Sequence, residues 1–165
     1  MNPSRVSDQK IFELYGCHQH KRNNMKTVTW LSKLWMTTID KPSVVISIGD
    51  PGESLPEFKC DHIDVLRIEV DDVEGDYGPE YRMFDWQHAK KILDFEERYK
   101  DHDIIVHCAA GISRSAAVAL FLSKANKRLL DVSKPCCGDY SCYNKWIFRQ
   151  LEITWYDLKR SKTDA

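Results

Sequence analysis

No stretch of this sequence approaches the run of about 18 apolar residues that indicates a membrane-spanning helix. Neither sign of charge dominates, since 24 Lys and Arg residues stand against 25 Asp and Glu residues, for a formal net charge of −1. That balance argues against a surface built to bind nucleic acid or a membrane. The opening residues, MNPSRVSDQK, lack the apolar core of a signal peptide, so we expect a cytoplasmic protein.

Disulfide bonds are not expected either, because without a signal segment the thiols should stay reduced. The chain has six cysteines: Cys17, Cys60, Cys108, Cys136, Cys137 and Cys142. The segments CHQH (17–20) and CCGDYSC (136–142) offer zinc ligands, but their irregular spacing fits no standard zinc site, so we expect no metal or other cofactor. In a second hypothesis, Cys60 or the pair at 136–137 protects Cys108 by trapping its oxidised form.

Short runs of apolar and β-branched residues predict strands in several parts of the chain. SVVISI (43–48), VLRIEV (65–70) and DIIVH (103–107) are the clearest, and KIFEL (10–14) is a further candidate. A turn sequence, GDPGE, ends the first of these runs. The Gly- and Pro-punctuated stretch DDVEGDYGPEY (71–81) follows the second and predicts a loop.

Apolar residues at helical spacing predict four helices: 27–39, 86–99, 114–127 and a last one that begins at 143. Asp85 is well placed to cap the second helix. The chain is long enough for a single domain over 1–165, with a polar tail at 159–165. Because strands alternate with helices, we expect an α/β fold with a mostly parallel, twisted central sheet that is flanked by helices on both faces.

The segment HCAAGISRS (107–115) joins a predicted buried strand to a helix that opens near Arg114. Backbone N–H groups in such a turn point inward, and with the helix N-terminus they form a cradle for an anion. Gly111 gives the loop conformational freedom, while Ala109 and Ala110 leave room for the backbone to close around the anion. The pattern therefore predicts a phosphate-binding loop between a central strand and a helix.

Cys108 and Arg114 converge on this cradle. Positive potential favours the thiolate, which is the reactive form of cysteine. The planar fork of Arg114 matches two oxygens of a phosphate in a bidentate way, which a lysine cannot do. A buried structural thiol beside a surface arginine is the plainer interpretation, but it leaves the rest of the loop pattern unexplained. We therefore expect a nucleophile and a phosphate clamp to meet at one tetrahedral anion.

The order His-Cys, five residues, Arg and Ser resembles the signature loop of cysteine-dependent protein tyrosine phosphatases. The interior AGISRSA is similar to compact dual-specificity phosphatases of the MAP-kinase-phosphatase type. The resemblance covers about 43–158, although RLLDVSKPCCGDYSC (128–142) departs from it. It implies a phosphomonoesterase that works through a phosphocysteine, needs no cofactor and acts on phosphorylated proteins or peptides. Phosphotyrosine is the expected substrate, and a shallow pocket would also tolerate phosphoserine and phosphothreonine.

The same resemblance implies roles for the residues of the loop. Cys108 would be the nucleophile, Arg114 would bind the phosphate, and Ser115 would hydrogen-bond the departing sulfur. His107 would order the loop through hydrogen bonds and help to keep Cys108 ionised. Asn144, in the last helix, would support the loop. The phosphate oxygens would be held by Cys108, Ala109, Ala110, Gly111, Ile112, Ser113 and Arg114.

The resemblance also implies a general acid, which the family supplies from a mobile loop before the cysteine. In RIEVDD (67–72), Asp72 occupies the catalytic place of the family pattern. Asp71 is the alternative, and Asp76 is a third candidate because it is farther from the end of the strand. Asp85 is the fourth acidic residue considered. Without such a role, these would be solvated loop carboxylates, as acidic runs usually are.

Three other functions stay open on this kind of loop, and one of them is sulfur transfer, whose loop is differently spaced and needs no acid. A pseudophosphatase would bind phosphoproteins without turnover, although such proteins typically lack the Cys or the Arg that is present here. An RNA 5′-phosphatase of the same fold would use the same chemistry, although the modest net charge and the uncharged loop interior at 109–113 argue against nucleic acid. The sequence leaves the oligomeric state open.

Overall fold

The computed structural model describes residues 25–133 and 140–163 of the chain. In these residues, five strands form one sheet in the order β3-β2-β4-β1-β5, and every neighbouring pair is parallel. The strands are β1 (Thr27–Ser32), β2 (Val44–Gly49), β3 (Asp64–Glu69), β4 (Ile104–Cys108) and β5 (Leu129–Leu130). The parallel sheet of the predicted α/β fold is therefore confirmed, whereas the candidate strand at 10–14 lies outside the described residues.

Four helices flank the sheet: α1 (Lys33–Met36), α2 (Trp86–Arg98), α3 (Arg114–Asn126) and α4 (Lys145–Thr163), with a short 3₁₀ turn at Tyr140–Cys142. The first two long helices, α2 and α3, end one residue before their predicted ends. The last helix continues through most of the segment 159–165 that we predicted as a polar tail, and its final residues are exposed. Among the described residues, no helix is long and apolar enough to cross a membrane.

The sheet buries both of its faces, as parallel sheets generally do. All six residues of β2 are buried, and its apolar side chains alternate between two clusters. Val44 and Ile46 face a large cluster that α2, α3 and α4 complete. Val45 faces a smaller cluster with Met36 of α1. The predicted covering of both faces is thus confirmed, with the three long helices on one face and the one-turn α1 on the other.

The single helix predicted at 27–39 is wrong. Thr27–Ser32 is a strand, and only Lys33–Met36 forms a helical turn. Tertiary pairing decides the conformation, because β1 lies between β4 and β5, where Trp30 is completely buried. Ser32 then caps α1, since its Oγ accepts a hydrogen bond from the backbone N–H of Trp35 at 3.2 Å.

α3 lies at the centre of the layer of long helices. Nine of its thirteen residues are buried, and it contacts β1, β4 and α4. Its alanines allow a close approach to the sheet, while Phe121 packs edge-on against Phe148 and Trp155 of α4. This packing places the first residue of the helix, Arg114, at a defined point beside the sheet.

An ion pair is buried near the amino ends of β4 and β5. The side chains of Glu96 and Arg128 are each almost completely buried, and Nε of Arg128 lies 2.9 Å from Oε1 of Glu96. Arg128 also donates to the backbone carbonyls of His102 (2.6 Å) and Tyr99 (3.1 Å), and Asn126 donates to the other oxygen of Glu96. Burial raises the pKa of Glu96, and the hydrogen bond and charge of Arg128 oppose that rise.

We expect Arg128→Met to lower the free energy of unfolding by about 3 to 5 kcal/mol, because the Glu96 carboxylate is left buried without its charge partner. Urea denaturation at neutral pH measures the loss. The double variant Glu96→Leu/Arg128→Met should lose clearly less, since two apolar residues leave no isolated charge in the interior. Equal losses in the single and the double variant would contradict this account of the ion pair.

Candidate active site

The loop of residues 109–113 joins β4 to α3 at the carboxyl edge of the sheet. Cys108 is the last residue of β4, and it is paired with Ser32 of the neighbouring β1. In open parallel sheets, ligands bind at this edge, beyond the carboxyl ends of the strands. The structure therefore places the predicted phosphate-binding loop at this edge, with a strand before it and a helix after it.

Gly111 brings the loop against the end of β1. Its φ of +70° lies in the left-handed region that favours glycine, and a Cβ at this position would lie 2.4 Å from the backbone nitrogen of Ser32. Nearer the start of the loop, the backbone N–H of Lys33 donates to the carbonyl of Ala109 at 3.1 Å. These contacts hold the loop against β1 and α1.

Cys108 is buried at the base of the loop, with 2% of its surface exposed. Its Sγ lies 3.1 Å from Oγ of Ser115, within hydrogen-bonding distance of that hydroxyl. Ser113 occupies the N-cap position of α3 but makes no capping hydrogen bond with its side chain, because its hydroxyl donates to Asp72 instead, at 2.8 Å. Without a side-chain cap from Ser113, the first N–H groups of α3 keep their capacity to bind an anion.

Arg114 is almost completely buried, and its guanidinium is held on one side. Nη1 donates to Oδ1 of Asp50 at 2.6 Å and to the backbone carbonyl of Val70 at 2.7 Å. Nε is also buried, and no atom in the described part of the chain accepts a hydrogen bond from it. Because buried donors are seldom left unpaired, the Nε side of the fork is available to an anion.

Asp72 is the predicted acid that the structure brings to this loop. Its Oδ1 accepts hydrogen bonds from Oγ of Ser113 and from Nδ2 of Asn144, both at 2.8 Å. Its Oδ2 lies 3.9 Å from Nε of Arg114. The carboxyl group is therefore next to both the loop and the open side of the arginine.

The other acidic candidates have structural roles. The carboxylate of Asp71 accepts from the backbone N–H of Arg82 at 2.7 Å, and the N–H of Asp71 donates to the carbonyl of Arg82 at 2.9 Å. This pair of bonds closes the base of the loop. Asp76 accepts from the N–H of Gly78 at 3.1 Å, and Asp85 caps α2 as predicted. The geometry thus favours Asp72 over Asp71 and Asp76 as the candidate acid.

Asn144 connects the Asp72 loop to α3 and α4. Its buried Nδ2 donates to Asp72 and to the carbonyl of Val73, at 2.8 and 3.2 Å. Its Oδ1 caps α4 by accepting from the N–H of Ile147 at 2.9 Å, and its own N–H donates to the carbonyl of Ser113 at 3.1 Å. The support that the resemblance implied for this asparagine is therefore present, and it acts on the acid-bearing loop as well as on the phosphate-binding loop.

His107 is buried directly before the cysteine, with 1% of its surface exposed. Successive side chains of a strand point to opposite faces, so His107 lies on the face away from Cys108. Neither ring nitrogen has a partner at good hydrogen-bond geometry among residues 25–133 and 140–163, although the backbone of Cys108 lies close enough to oppose the lowering of the pKa of His107. Burial, with a contribution from the charges of Arg67 and Lys33, lowers the pKa of His107 to about 4. The ring is therefore neutral at pH 7, and the role of His107 in ordering the loop stays a prediction.

Sequence reasoning missed two groups that contact Arg114, the carboxylate of Asp50 and the carbonyl of Val70. Asp50 immediately follows β2, and Val70 immediately follows β3. An acidic residue directly after a buried strand was a usable signal. That signal did not identify Asp50 as a partner of Arg114, because the sequence does not reveal that β2 is the neighbour of β4.

The cysteines in the described part of the chain, Cys60, Cys108 and Cys142, are free thiols. The Sγ of Cys60 lies 3.8 Å from the carbonyl of Ile39 and makes no bond with Cys108. No group of three His, Cys, Asp or Glu residues suited to a metal ion occurs where the structure describes the chain. The zinc hypothesis and the pairing with Cys136 or Cys137 depend on residues outside that part.

Three reactive groups therefore converge on the loop: a thiol, a guanidinium and a carboxyl group. Cys108 offers a nucleophile, the Nε side of Arg114 offers an anion site, and Asp72 can give or take a proton. No protein-family model matches the chain, and no curated protein matches it. The functional assignment consequently depends on this geometry and on the signature-loop pattern.

We expect Gly111→Ala to destabilise the protein more than Gly52→Ala does. Both glycines have a left-handed φ, +70° and +78°, so each substitution should cost about 1 to 2 kcal/mol in backbone strain. Only at Gly111 would the new Cβ also meet backbone atoms, whereas nothing lies within 4 Å of a Cβ at Gly52. Urea denaturation of the two variants measures the difference, and equal losses would show that the loop is not pressed against β1.

Proposed function

We propose that this protein is a cysteine-dependent phosphomonoesterase, a protein phosphatase of the tyrosine and dual-specificity type. The observation that supports this most is the meeting of Cys108, Asp72 and the Nε side of Arg114, which has no hydrogen-bond acceptor in the described part of the chain, at one loop. A purely structural cysteine would have no need of a buried arginine with an open side and an adjacent acid. The signature-loop pattern of 107–115 favours the same reaction.

In the first displacement, the thiolate sulfur of Cys108 attacks phosphorus in line with the bond to the leaving oxygen. The S–P bond forms as the P–O bond breaks, and Asp72 gives its proton to the leaving oxygen. The N–H groups of the loop and the guanidinium of Arg114 bind the phosphoryl oxygens and stabilise their charge in the transition state. The products of this step are a phosphocysteine and a free alcohol or phenol.

In the second displacement, water attacks the phosphocysteine. Asp72, now a carboxylate, takes a proton from the water as the new P–O bond forms and the S–P bond breaks. The sulfur leaves as a thiolate, which the Ser115 hydroxyl stabilises by donating a hydrogen bond across the observed 3.1 Å. Release of inorganic phosphate returns Cys108 and Asp72 to their starting forms.

The rim of the loop supports a phosphorylated protein or peptide as the substrate. Ala109, Ala110 and Ile112 are exposed there and carry no charge, so these side chains cannot pair with the additional phosphates of a phosphoinositide or an RNA 5′ end. We propose phosphotyrosine as the substrate, with phosphoserine and phosphothreonine also accepted. The free thiols of Cys60 and Cys142 fit a reducing compartment, and we propose a cytoplasmic location.

The parent protein should hydrolyse p-nitrophenyl phosphate without added metal, and Cys108→Ser should abolish turnover because a serine hydroxyl is a far weaker nucleophile than a thiolate. Rates measured from about pH 5 to about pH 8 should be highest on the acidic side, since the reaction needs an ionised thiol and a protonated acid together. Cys142→Ser is the matched control, because it alters an exposed free thiol, and it should keep the parent rate.

Two results would favour the two alternative functions, the pseudophosphatase and the RNA 5′-phosphatase. A parent protein that binds vanadate but turns nothing over would be a phosphate-binding module and not a phosphatase. Release of phosphate from a 5′-triphosphorylated RNA, faster than from a phosphotyrosine peptide at equal concentration, would favour the RNA 5′-phosphatase.

Asp72→Asn should lower kcat by about 100-fold or more, because an amide cannot protonate the leaving oxygen. The loss should be larger for phenyl phosphate than for p-nitrophenyl phosphate, whose leaving group needs less help from an acid. Asp71→Asn makes the same charge change next to it and should retain most of the activity, since its amide oxygen can still accept from Arg82. Kinetics with both substrates check this, and a greater loss in Asp71→Asn would assign the acid to Asp71.

A further inference from the structure

The carboxylate of Asp50 holds the guanidinium of Arg114 on the side opposite its open edge. The 2.6 Å bond between Oδ1 of Asp50 and Nη1 is joined at the same nitrogen by the carbonyl of Val70. The remaining edge of the guanidinium plane carries Nε and Nη2, and Nε has no acceptor among the residues described. The contact with Asp50 thus turns toward the loop the edge that is suited to bind two oxygens of a phosphate, and Oδ2 of Asp72 lies 3.9 Å from Nε at that edge.

Asp50 is itself held by a tight turn of residues 50–53, which we call the brace turn. The N–H of Glu53 donates to the carbonyl of Asp50, and the N–H of Asp50 donates to Oε2 of Glu53, both at 3.0 Å. Gly52 has a φ of +78°, as the third position of a type II turn requires. Arg67 of β3 donates to the carbonyl of Glu53 at 2.6 Å. The carboxylate of Asp50 therefore extends from a well-anchored backbone.

The brace turn also reaches the start of the phosphate-binding loop. Oε1 of Glu53 lies 2.7 Å from Nζ of Lys33, and the backbone N–H of Lys33 donates to the carbonyl of Ala109 at 3.1 Å. Through Asp50, the same turn contacts Arg114 immediately after the loop. The brace turn is therefore linked to both ends of the phosphate-binding loop. These contacts fix the guanidinium of Arg114 relative to the loop backbone.

We propose that Asp50 is a positioning residue, which directs the Nε edge of Arg114 toward a bound tetrahedral oxyanion without touching the reacting atoms itself. Its kinetic consequence rests on the proposed phosphatase function. Its effect on the binding of an oxyanion does not rest on that function, because binding requires no turnover.

Charge and geometry predict opposite effects when Asp50 is removed. A carboxylate beside the cradle repels an oxyanion, so by charge alone its loss should tighten anion binding. By geometry its loss should weaken binding, because a released guanidinium can turn its open edge away from the anion. Asp50→Asn removes the charge but keeps an oxygen that can accept from Nη1, and it therefore separates the two effects.

The test compares Asp50→Ala and Asp50→Asn with Asp61→Asn, which removes an exposed carboxylate from the same connection between β2 and β3. Tungstate, a tetrahedral oxyanion, is titrated into each protein by calorimetry, and kcat and KM for p-nitrophenyl phosphate are measured separately. Asp50→Ala should weaken tungstate binding about 10-fold and lower kcat/KM by about 10- to 100-fold. Asp50→Asn and Asp61→Asn should bind tungstate at least as tightly as the parent.

Two results would overturn the inference: tungstate binding by Asp50→Ala that is as tight as that of the parent, or a loss in Asp50→Asn as large as in Asp50→Ala. If Asp50→Ala does not fold, Asp50→Glu replaces it, because this variant keeps the charge but displaces the carboxylate by one methylene. Asp50→Glu should weaken tungstate binding, and parent-like binding would then overturn the inference.

The failure of this inference can be told apart from the failure of the proposed function. If the parent shows no turnover but its tungstate binding depends on Asp50 in the expected way, the positioning role stands and the phosphatase does not. If the parent turns over and Asp50→Ala behaves like Asp61→Asn in both measurements, the phosphatase stands and the positioning role does not. A parent protein that neither binds tungstate nor hydrolyses p-nitrophenyl phosphate would contradict both the positioning role and the phosphatase function.

Discussion

The buried guanidinium of Arg114 is the group on which the arrangement of the site depends. A cation with so little exposure is stable only where other groups balance its charge and accept its hydrogen bonds. Asp50 and the carbonyl of Val70 do so from the ends of β2 and β3. They can reach the arginine because parallel strands all end at the same edge of the sheet, and because the packing of α3 places Arg114 at that edge.

The buried amide of Asn144 extends this organisation to the acid. The side chain of Asn144 caps α4 and holds the Asp72 loop, and its backbone N–H donates to the carbonyl of Ser113, so the last helix takes part in positioning the candidate acid. Ser113 contributes by giving its hydroxyl to Asp72 instead of capping α3. The same hydrogen bond thus draws the acid to the loop and leaves helix N–H groups for an anion.

Those parts of the fold with strong local signals were predictable. The amphipathic period and the Asp85 cap predicted α2, and the apolar, small-residue stretch predicted α3. The first strand was not predictable in this way, because pairing with β4 and β5 outweighs the helical spacing of its apolar residues. His107 shows the same limit at the level of one side chain, since its residue type does not reveal that the ring is buried and neutral at pH 7.

The sequence by itself determined that a cysteine, a small-residue loop and an arginine would follow one another at a strand end, because these are neighbours along the chain. It also limited the candidates for a general acid to a short acidic run that contains Asp72. Only the tertiary structure decided which carboxylate enters the site and which groups hold Arg114. The physical reason is that Asp50, Asp72 and Asn144 are far apart in sequence, and the order of the strands brings them together.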